Sequence, residues 1–207
     1  MTAVSVGVLA GGRSLRMGQD KALLPVGGRP VIQRVLERVS LLSNDVILVT
    51  NTPDRYRFCP DCRLTGDIYP NKGSLGGIHS ALTAAVYPHC LIVGCDMPFL
   101  NVVLLRHLLR LAPGCDVVVP RITDNLETMH AVYAKACLEP IERHLLTDDL
   151  RIRSFFDEVH VCIVEREELE RFDPLLRSFL NMNTPSDWDR LRQMALDDEL
   201  RSGRRES

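Results

Sequence analysis

The stretch VGVLAGGRSLRMGQDKALL, Val6 to Leu24, decides how the rest of the chain is read. An apolar run from Val4 to Leu9 stops at Gly11-Gly12, and Arg13, Arg16 and Lys21 follow closely. Glycine admits backbone conformations that bring N–H groups close to a ligand. Successive N–H groups in such a turn form a concavity for anions, and nearby cations add fixed positive charge. A buried strand feeding a loop of this kind suits a nucleoside triphosphate.

Around that stretch the chain alternates strand and helix signals. Val4 to Leu9 reads as a buried parallel strand, and Pro30 opens a helix with an apolar stripe at Val31, Val35, Leu36 and Val39. Asp45 to Thr50, Arg63 to Leu64, His89 to Gly94 and Cys115 to Val119 read as further strands. Ile78, Leu82 and Val86 predict a helix after the Gly76-Gly77 turn, and Val102 to Leu111 predicts another. In the less regular second half, Met129 to Tyr133 reads as an edge strand and Cys137 to Leu146 as a helix. Val159 to Val164 reads as a strand and Asp187 to Leu196 as the closing helix. The rhythm predicts an α/β fold, a mostly parallel Rossmann-like sheet with helices on both faces. Ligands of such sheets bind beyond the carboxyl ends of the strands. The glycine loop, Asp67 and Asp96 all fall at those ends, which points to one shared site.

The totals narrow the class. A chain of 207 residues accommodates one α/β domain, expected over 1–200, with a charged tail over 201–207. Twenty-five Lys and Arg against 27 Asp and Glu leave no excess of positive charge for a broad nucleic-acid or anionic-membrane surface. No basic-then-apolar leader and no bilayer-length apolar run stand out, so a soluble cytoplasmic protein is expected. Seven cysteines with scattered spacing do not resemble a secreted disulfide framework, and most are expected to be small buried thiols. The pair Cys59 and Cys62 lacks the second pair of ligands that a structural zinc site needs, and is expected to be reduced.

LAGGRSLRMGQDKALL resembles the signature loop of nucleotidyltransferases with a Rossmann-like fold, the molybdenum cofactor guanylyltransferases being the nearest family. GDIYPNKGSLGGIHSAL from Gly66, VGCDMPFL from Val93 and FLNMNTPSDW from Phe179 agree with that family in order and spacing, so the resemblance covers nearly the whole chain. It implies a sheet of the nucleotide-diphospho-sugar transferase type. It also implies transfer of GMP from GTP to the phosphate of molybdopterin carrying molybdenum, with Mg2+ as cofactor and pyrophosphate as the product released. Molybdoenzyme maturation proteins become candidate partners. The rival readings are cytidylyl transfer to the same pterin, nucleotidyl transfer to a sugar phosphate, and a nucleotide-binding adaptor without catalysis.

Both reactants in such a transfer are anions, so the site must neutralise repulsion and align the attack. Asp96, at the end of a strand and before Met97-Pro98, is the candidate metal ligand, a role that the resemblance also implies. Asp96 could instead cap the helix that begins near Asn101. Lys21 offers a compact charge with three donors for phosphate, although Asp20 could simply pair with it. Arg16, ahead of Arg13, is the next phosphate candidate. The resemblance makes Leu9, Ala10, Gly11 and Gly12 the backbone of the nucleotide site, with the double glycine accompanying guanine. It assigns nucleotide contacts to Asp67 and Asn51, and Ser74 stands where relatives carry proline. An amide at Asn51 can match a base edge, and an asparagine there is equally an ordinary turn residue.

Asn181 and Asn183 match the family's N-[IVM]-N-T-P motif beside metal and pterin. Read as strand residues, they face one side, with Thr184 and Pro185 opening the last helix. Arg151 and Arg153, and His130 with Tyr133, are candidates for the acceptor pocket. A solvated charge pair and a satisfied core histidine are the ordinary alternatives.

Overall fold

A seven-stranded sheet forms the centre of the computed structural model, which describes residues 3–11, 20–59 and 62–203 and omits the side chains of 201–203. In chain order the strands are β1 (Ser5–Leu9), β2 (Pro25–Val26), β3 (Arg29–Pro30), β4 (Asp45–Val49), β5 (Arg63–Thr65), β6 (His89–Gly94), β7 (Val117–Pro120), β8 (His130–Ala134) and β9 (Val161–Val164). The α-helices are α1 (Val31–Val39), α2 (Gly73–Ala84), α3 (Val102–Leu111), α4 (Leu138–Leu146), α5 (Arg166–Leu169) and α6 (Pro185–Gly203). The sheet runs β5-β4-β1-β6-β8-β7-β9, while β2 and β3 form a separate small ribbon. Only β8 runs against its neighbours, and every other pairing within the sheet is parallel.

Strand alternation divides the apolar side chains between two cores. Val6 and Val8 of β1 and Leu91 and Val93 of β6 join residues of α1, α3 and α6 on one face. Leu9, Cys90 and Ile92 join Leu75, Ile78 and Leu82 of α2 and Ile141 and Leu145 of α4 on the other. The sheet is therefore covered on both sides, as a run of buried parallel strands requires. Among the described residues, no helix is long and apolar enough to cross a membrane.

Four local readings are corrected. Met129 to Tyr133 was expected at an edge, but β8 lies inside the sheet between β6 and β7, and β9 is the edge. A short apolar run carries no information on which neighbours it will pair with. Gly76 and Gly77 lie within α2, which begins at left-handed Gly73, two residues after left-handed Asn71. A Cβ on Gly77 would stand 3.1 Å from Leu9, so the glycine lets α2 lie close against the end of β1. Residues 181–183 are irregular chain rather than strand. Finally, α6 extends through Gly203, so the charged tail begins as helix; residues 204–207 lie outside the described residues.

Candidate active site

Parallel pairing fixes the site before any side chain is considered. Leu9 is in register with Val49 and with Gly94, and Val49 with Thr65. Thr65, Val49, Leu9 and Gly94 thus form one row across the carboxyl edge. Two residues beyond each lie Asp67, Asn51, Gly11 and Asp96. Four of the residues chosen from the sequence stand along one rim for this reason alone. The backbone stitches the rim: Ala10 N–H donates to Val49 O at 2.9 Å, and Cys95 N–H to Leu9 O at 3.2 Å. Leu9 is buried, Ala10 half-buried and Gly11 exposed.

Lys21 closes the rim. Its ammonium pairs with Asp96 Oδ2 and donates to Asn183 Oδ1 at 3.1 Å. Asp20 does not pair with it. The Asp20 carboxylate accepts instead from Ala22 N–H and from the Tyr56 hydroxyl, which caps the short 3₁₀ turn Lys21–Leu23 and leaves the ammonium to reach across the cleft. Asp96 is likewise free of the capping duty it could have had. Asn101 caps α3, accepting from Val103 and Leu104 N–H.

The segment carrying Asn181 and Asn183 is held from both sides. Met182 N–H donates to Asp96 O at 3.1 Å, tying the segment to the metal candidate's own backbone. On the other side, the Asp187 carboxylate accepts from Asn183 N–H, Thr184 N–H and the Thr184 hydroxyl, while Asp187 N–H donates to Thr184 Oγ1. This is a capping box at the start of α6, as expected for Thr184 and Pro185. The hydrogen bond from Thr184, outweighing burial, holds the Asp187 carboxyl below its usual range. Asn181 Oδ1 is buried with no partner among the described residues, an oxygen available to a donor or cation.

Asn51 and Asp67 form a reciprocal pair. Asn51 Nδ2 donates to Asp67 Oδ2 at 2.7 Å, and Asp67 N–H donates to Asn51 Oδ1 at 3.0 Å. The amide expected to face a base is thus engaged by its neighbour across the rim. Gly12, Arg13 and Arg16 lie outside the described residues.

Arg151 and Arg153, the candidates for the acceptor pocket, line a cleft of about 590 Å³ with Ser74, Asn125 and Thr128. Arg151 pairs with Asp149 at 3.3 Å and remains largely exposed, so the solvated-pair reading and a place in the cleft both hold. Ser74 brings the first turn of α2 to the same cleft, and that helix has no side-chain cap among the described residues. Asn125 and Thr128 carry no sequence signal beyond the polar run between two strands, which gives no hint of where the loop folds. His130 and Tyr133 do not line this cleft. His130 is buried against Phe179, and neither ring nitrogen has a partner among the described residues. Burial pushes its imidazole down to about 3. Tyr133 donates to Thr128 O at 2.8 Å, bracing the loop that carries Thr128.

The rim thus carries the paired Asn51 and Asp67 and, beside them, the Asp96 carboxylate, the Lys21 ammonium and the Asn183 amide brought together. Residues 6–166 match the family described as the MobA-like NTP transferase domain. The chain belongs to that family. It is 38% identical over 197 residues to a probable molybdenum cofactor guanylyltransferase of Pelotomaculum thermopropionicum, covering 95% of each chain. It is 35% identical to the molybdenum cofactor guanylyltransferase of Desulfosudis oleivorans, over 92% of this chain and 95% of the relative. The structure superimposes with a TM-score of 0.82 on molybdopterin-guanine dinucleotide biosynthesis protein A of Archaeoglobus fulgidus, at 29% identity and over 93% and 99% of the two chains. Membership of the MobA-like family makes the chain a nucleotidyltransferase of the molybdenum cofactor guanylyltransferase kind. Met182 and Asn183 lie beyond the matched residues, yet Asp96 O accepts from Met182 N–H and Lys21 donates to Asn183, which ties the segment to the rim.

Proposed function

We propose that this nucleotidyltransferase moves GMP from GTP to the phosphate of molybdopterin carrying molybdenum and releases pyrophosphate. The observation that carries the reading is the meeting of Lys21, Asp96 and Asn183, which lie 75 and 162 residues apart in the chain. Leu9, Ala10 and Gly11 offer backbone to the nucleotide at the end of β1, and Gly12 and Arg16 of the same sequence motif join them. Lys21 grips the triphosphate as a mobile point charge. Opening of the Asn51–Asp67 pair presents an amide to the guanine edge and leaves Asp67 for the rest of the nucleotide.

The residues present suit Mg2+. A hard cation of this kind takes one or two carboxylates together with phosphate and water oxygens. Asp96 would hold it, and Asn183 Oδ1, which shares the Lys21 ammonium with that carboxylate, would add a neutral oxygen; the buried, unpartnered Asn181 oxygen lies in the same segment. Bound there, the ion would supply charge neutralisation and alignment to the phosphates. Lys21, on its flexible stem beside Asp96, would present its ammonium to the phosphates.

The acceptor phosphate is ionised near neutral pH, so no covalent enzyme intermediate and no dedicated base are required. Positioning and electrostatics carry the rate. Arg151 and Arg153, with the first turn of α2 at Ser74, offer positive potential to the anionic acceptor. Thermal denaturation with Mg2+ and each triphosphate tests the base assignment. At about a hundred times its dissociation constant, GTP adds about 2.7 kcal/mol. That corresponds to about 5–10 °C in Tm for a chain of this size. Stabilisation by CTP and none by GTP rejects the guanine reading.

A further inference from the structure

At the amino-terminal end of the sheet, opposite the rim, Cys115 just ahead of β7 is disulfide-bonded to Cys162 of the edge strand β9, with Cα atoms 6.0 Å apart. This pair falls outside the expectation of buried thiols that Cys59, Cys90, Cys95 and Cys137 meet. His160 stands beside it. One ligand atom from each of Cys115, His160 and Cys162 lies within 4.8 Å of the others. The two cysteines are half-buried and the histidine exposed, so solvent and ions reach all three.

We propose that, when the disulfide is reduced, Cys115, Cys162 and His160 form a binding site for a thiophilic divalent cation of the Zn2+ type. Two sulfurs and an imidazole nitrogen are the ligand types such ions prefer, and three protein ligands leave one position for water. The histidine is pre-set for the task. Its Nδ1 lies 2.6 Å from Gly114 O, so Nδ1 carries the proton and Nε2 keeps its lone pair. A backbone carbonyl on the second ring nitrogen is the usual orienting partner of a ligating histidine. The His160 N–H donates to the Asp116 carboxylate at 2.9 Å, fixing residue 160 beside the pair.

The chemistry balances. A dithiol reductant gives two electrons and two protons to the Cys115–Cys162 bond and closes to its own disulfide. Cation binding then releases the two thiol protons and forms two metal–sulfur bonds and one metal–nitrogen bond. Disulfide and cation are mutually exclusive ways of fastening β9 to β7. Either one closes a span of 47 residues that contains α4 and the Arg151–Arg153 segment of the acceptor cleft.

The test uses the full chain, oxidised or reduced with a dithiol that is then removed without air, and Co2+ and Zn2+ as probes. Reduced protein is expected to bind one Zn2+ in chelator competition. With Co2+ it is expected to show the near-ultraviolet thiolate-to-cobalt absorption that oxygen ligands such as Asp96 cannot give. Oxidised protein is expected to show neither thiolate signal nor this zinc. Cys162→Ser should abolish the signal. His160→Ala, which keeps both cysteines and the fold, should weaken binding by more than about tenfold. The double variant Cys59→Ser/Cys62→Ser should bind as the wild type does. The proposal is overturned if reduced wild type gives no thiolate–cobalt signal. It is equally overturned if the signal survives Cys162→Ser, or if it is lost from the Cys59/Cys62 variant.

Discussion

Replacing Gly94 by alanine separates the function of the rim from its packing. A Cβ built on Gly94 falls 2.6 Å from Asp96 Oδ1, where real Cβ atoms keep at least 3.0 Å from such neighbours. The next nearest atoms, Asp96 Cγ and Met97 Cγ, are at 3.8 Å, which is ordinary contact. The clash therefore falls on one functional oxygen and spares the core. To restore normal contact the carboxylate must move by about 0.5–1 Å. Turning it off its rotamer costs about 0.5–1.5 kcal/mol. That lowers Tm by less than about 6 °C in a chain of this size. Turnover is more sensitive, because misplacing a reacting group by about 1 Å costs on the order of a hundredfold. Gly94→Ala should thus lose about ten- to a hundredfold in pyrophosphate release while remaining folded. The comparison is Gly7→Ala, whose Cβ meets Ala81 at 2.7 Å and Ile92 at 2.8 Å, both in the core. Overpacking there should cost about 1–3 kcal/mol of stability and leave the folded enzyme active. Both quantities come from a pyrophosphate-coupled assay and a melting curve on the same samples. Wild-type turnover in Gly94→Ala would refute the reasoning, since the position of the Asp96 carboxylate would then not matter.

Two further outcomes concern stability. Asp45 is buried at the start of β4 and accepts from Ser5, from Val86 N–H and from Arg63 at 2.5 Å. Burial pushes its carboxyl up, but those hydrogen bonds outweigh it and hold it below the usual range. Its contribution is therefore present above about pH 4 and lost as pH falls through its depressed value. Asp45→Ala should cost about 1–3 kcal/mol in urea titration at pH 7, because it leaves the buried Ser5 hydroxyl without its acceptor, while half-exposed Arg63 keeps Ala84 O and turns to water. A loss under 1 kcal/mol would contradict that. His130 acts in a different window. Its folded imidazole stays neutral down to about 3, so the unfolded chain takes up a proton first, near pH 6.5. Stability should fall from about pH 6.5 downward by up to about 1.4 kcal/mol per pH unit. His79, also lowered by burial, adds to the slope. His130→Leu should flatten this limb, and an unchanged limb would mean that the ring reaches water in the fold.

The rim was legible because parallel strands make sequence position into spatial position. Once Val4 to Leu9, Asp45 to Thr50 and His89 to Gly94 are read as parallel neighbours, Gly11, Asn51 and Asp96 must share an edge. Pairing partners within that edge were not legible. Nothing in the spacing says that Asn51 and Asp67 satisfy each other, or that Asp20 turns away to Ala22 and Tyr56 and leaves Lys21 to Asp96. Those outcomes depend on side-chain directions set by a 3₁₀ turn and two strand ends. The antiparallel direction of β8 was hidden for a similar reason, since His130 to Ala134 is buried on both faces and has no alternation to read. In α2, the low helix propensity of glycine argued for a turn at Gly76-Gly77. Close packing on Leu9 overrode that propensity. The Cys115–Cys162 pair joins strands that are neighbours only after the sheet has assembled, so its spacing carried no signal.

The central claim is that the Asp96 carboxylate beside Lys21 drives nucleotidyl transfer, and one comparison tests it most directly. Pyrophosphate release from GTP is measured with molybdopterin as acceptor for wild type and Asp96→Asn, a change that keeps size and removes charge. The account predicts a loss of at least about a hundredfold in turnover with a melting temperature close to that of wild type. Equal turnover in the two proteins would contradict it.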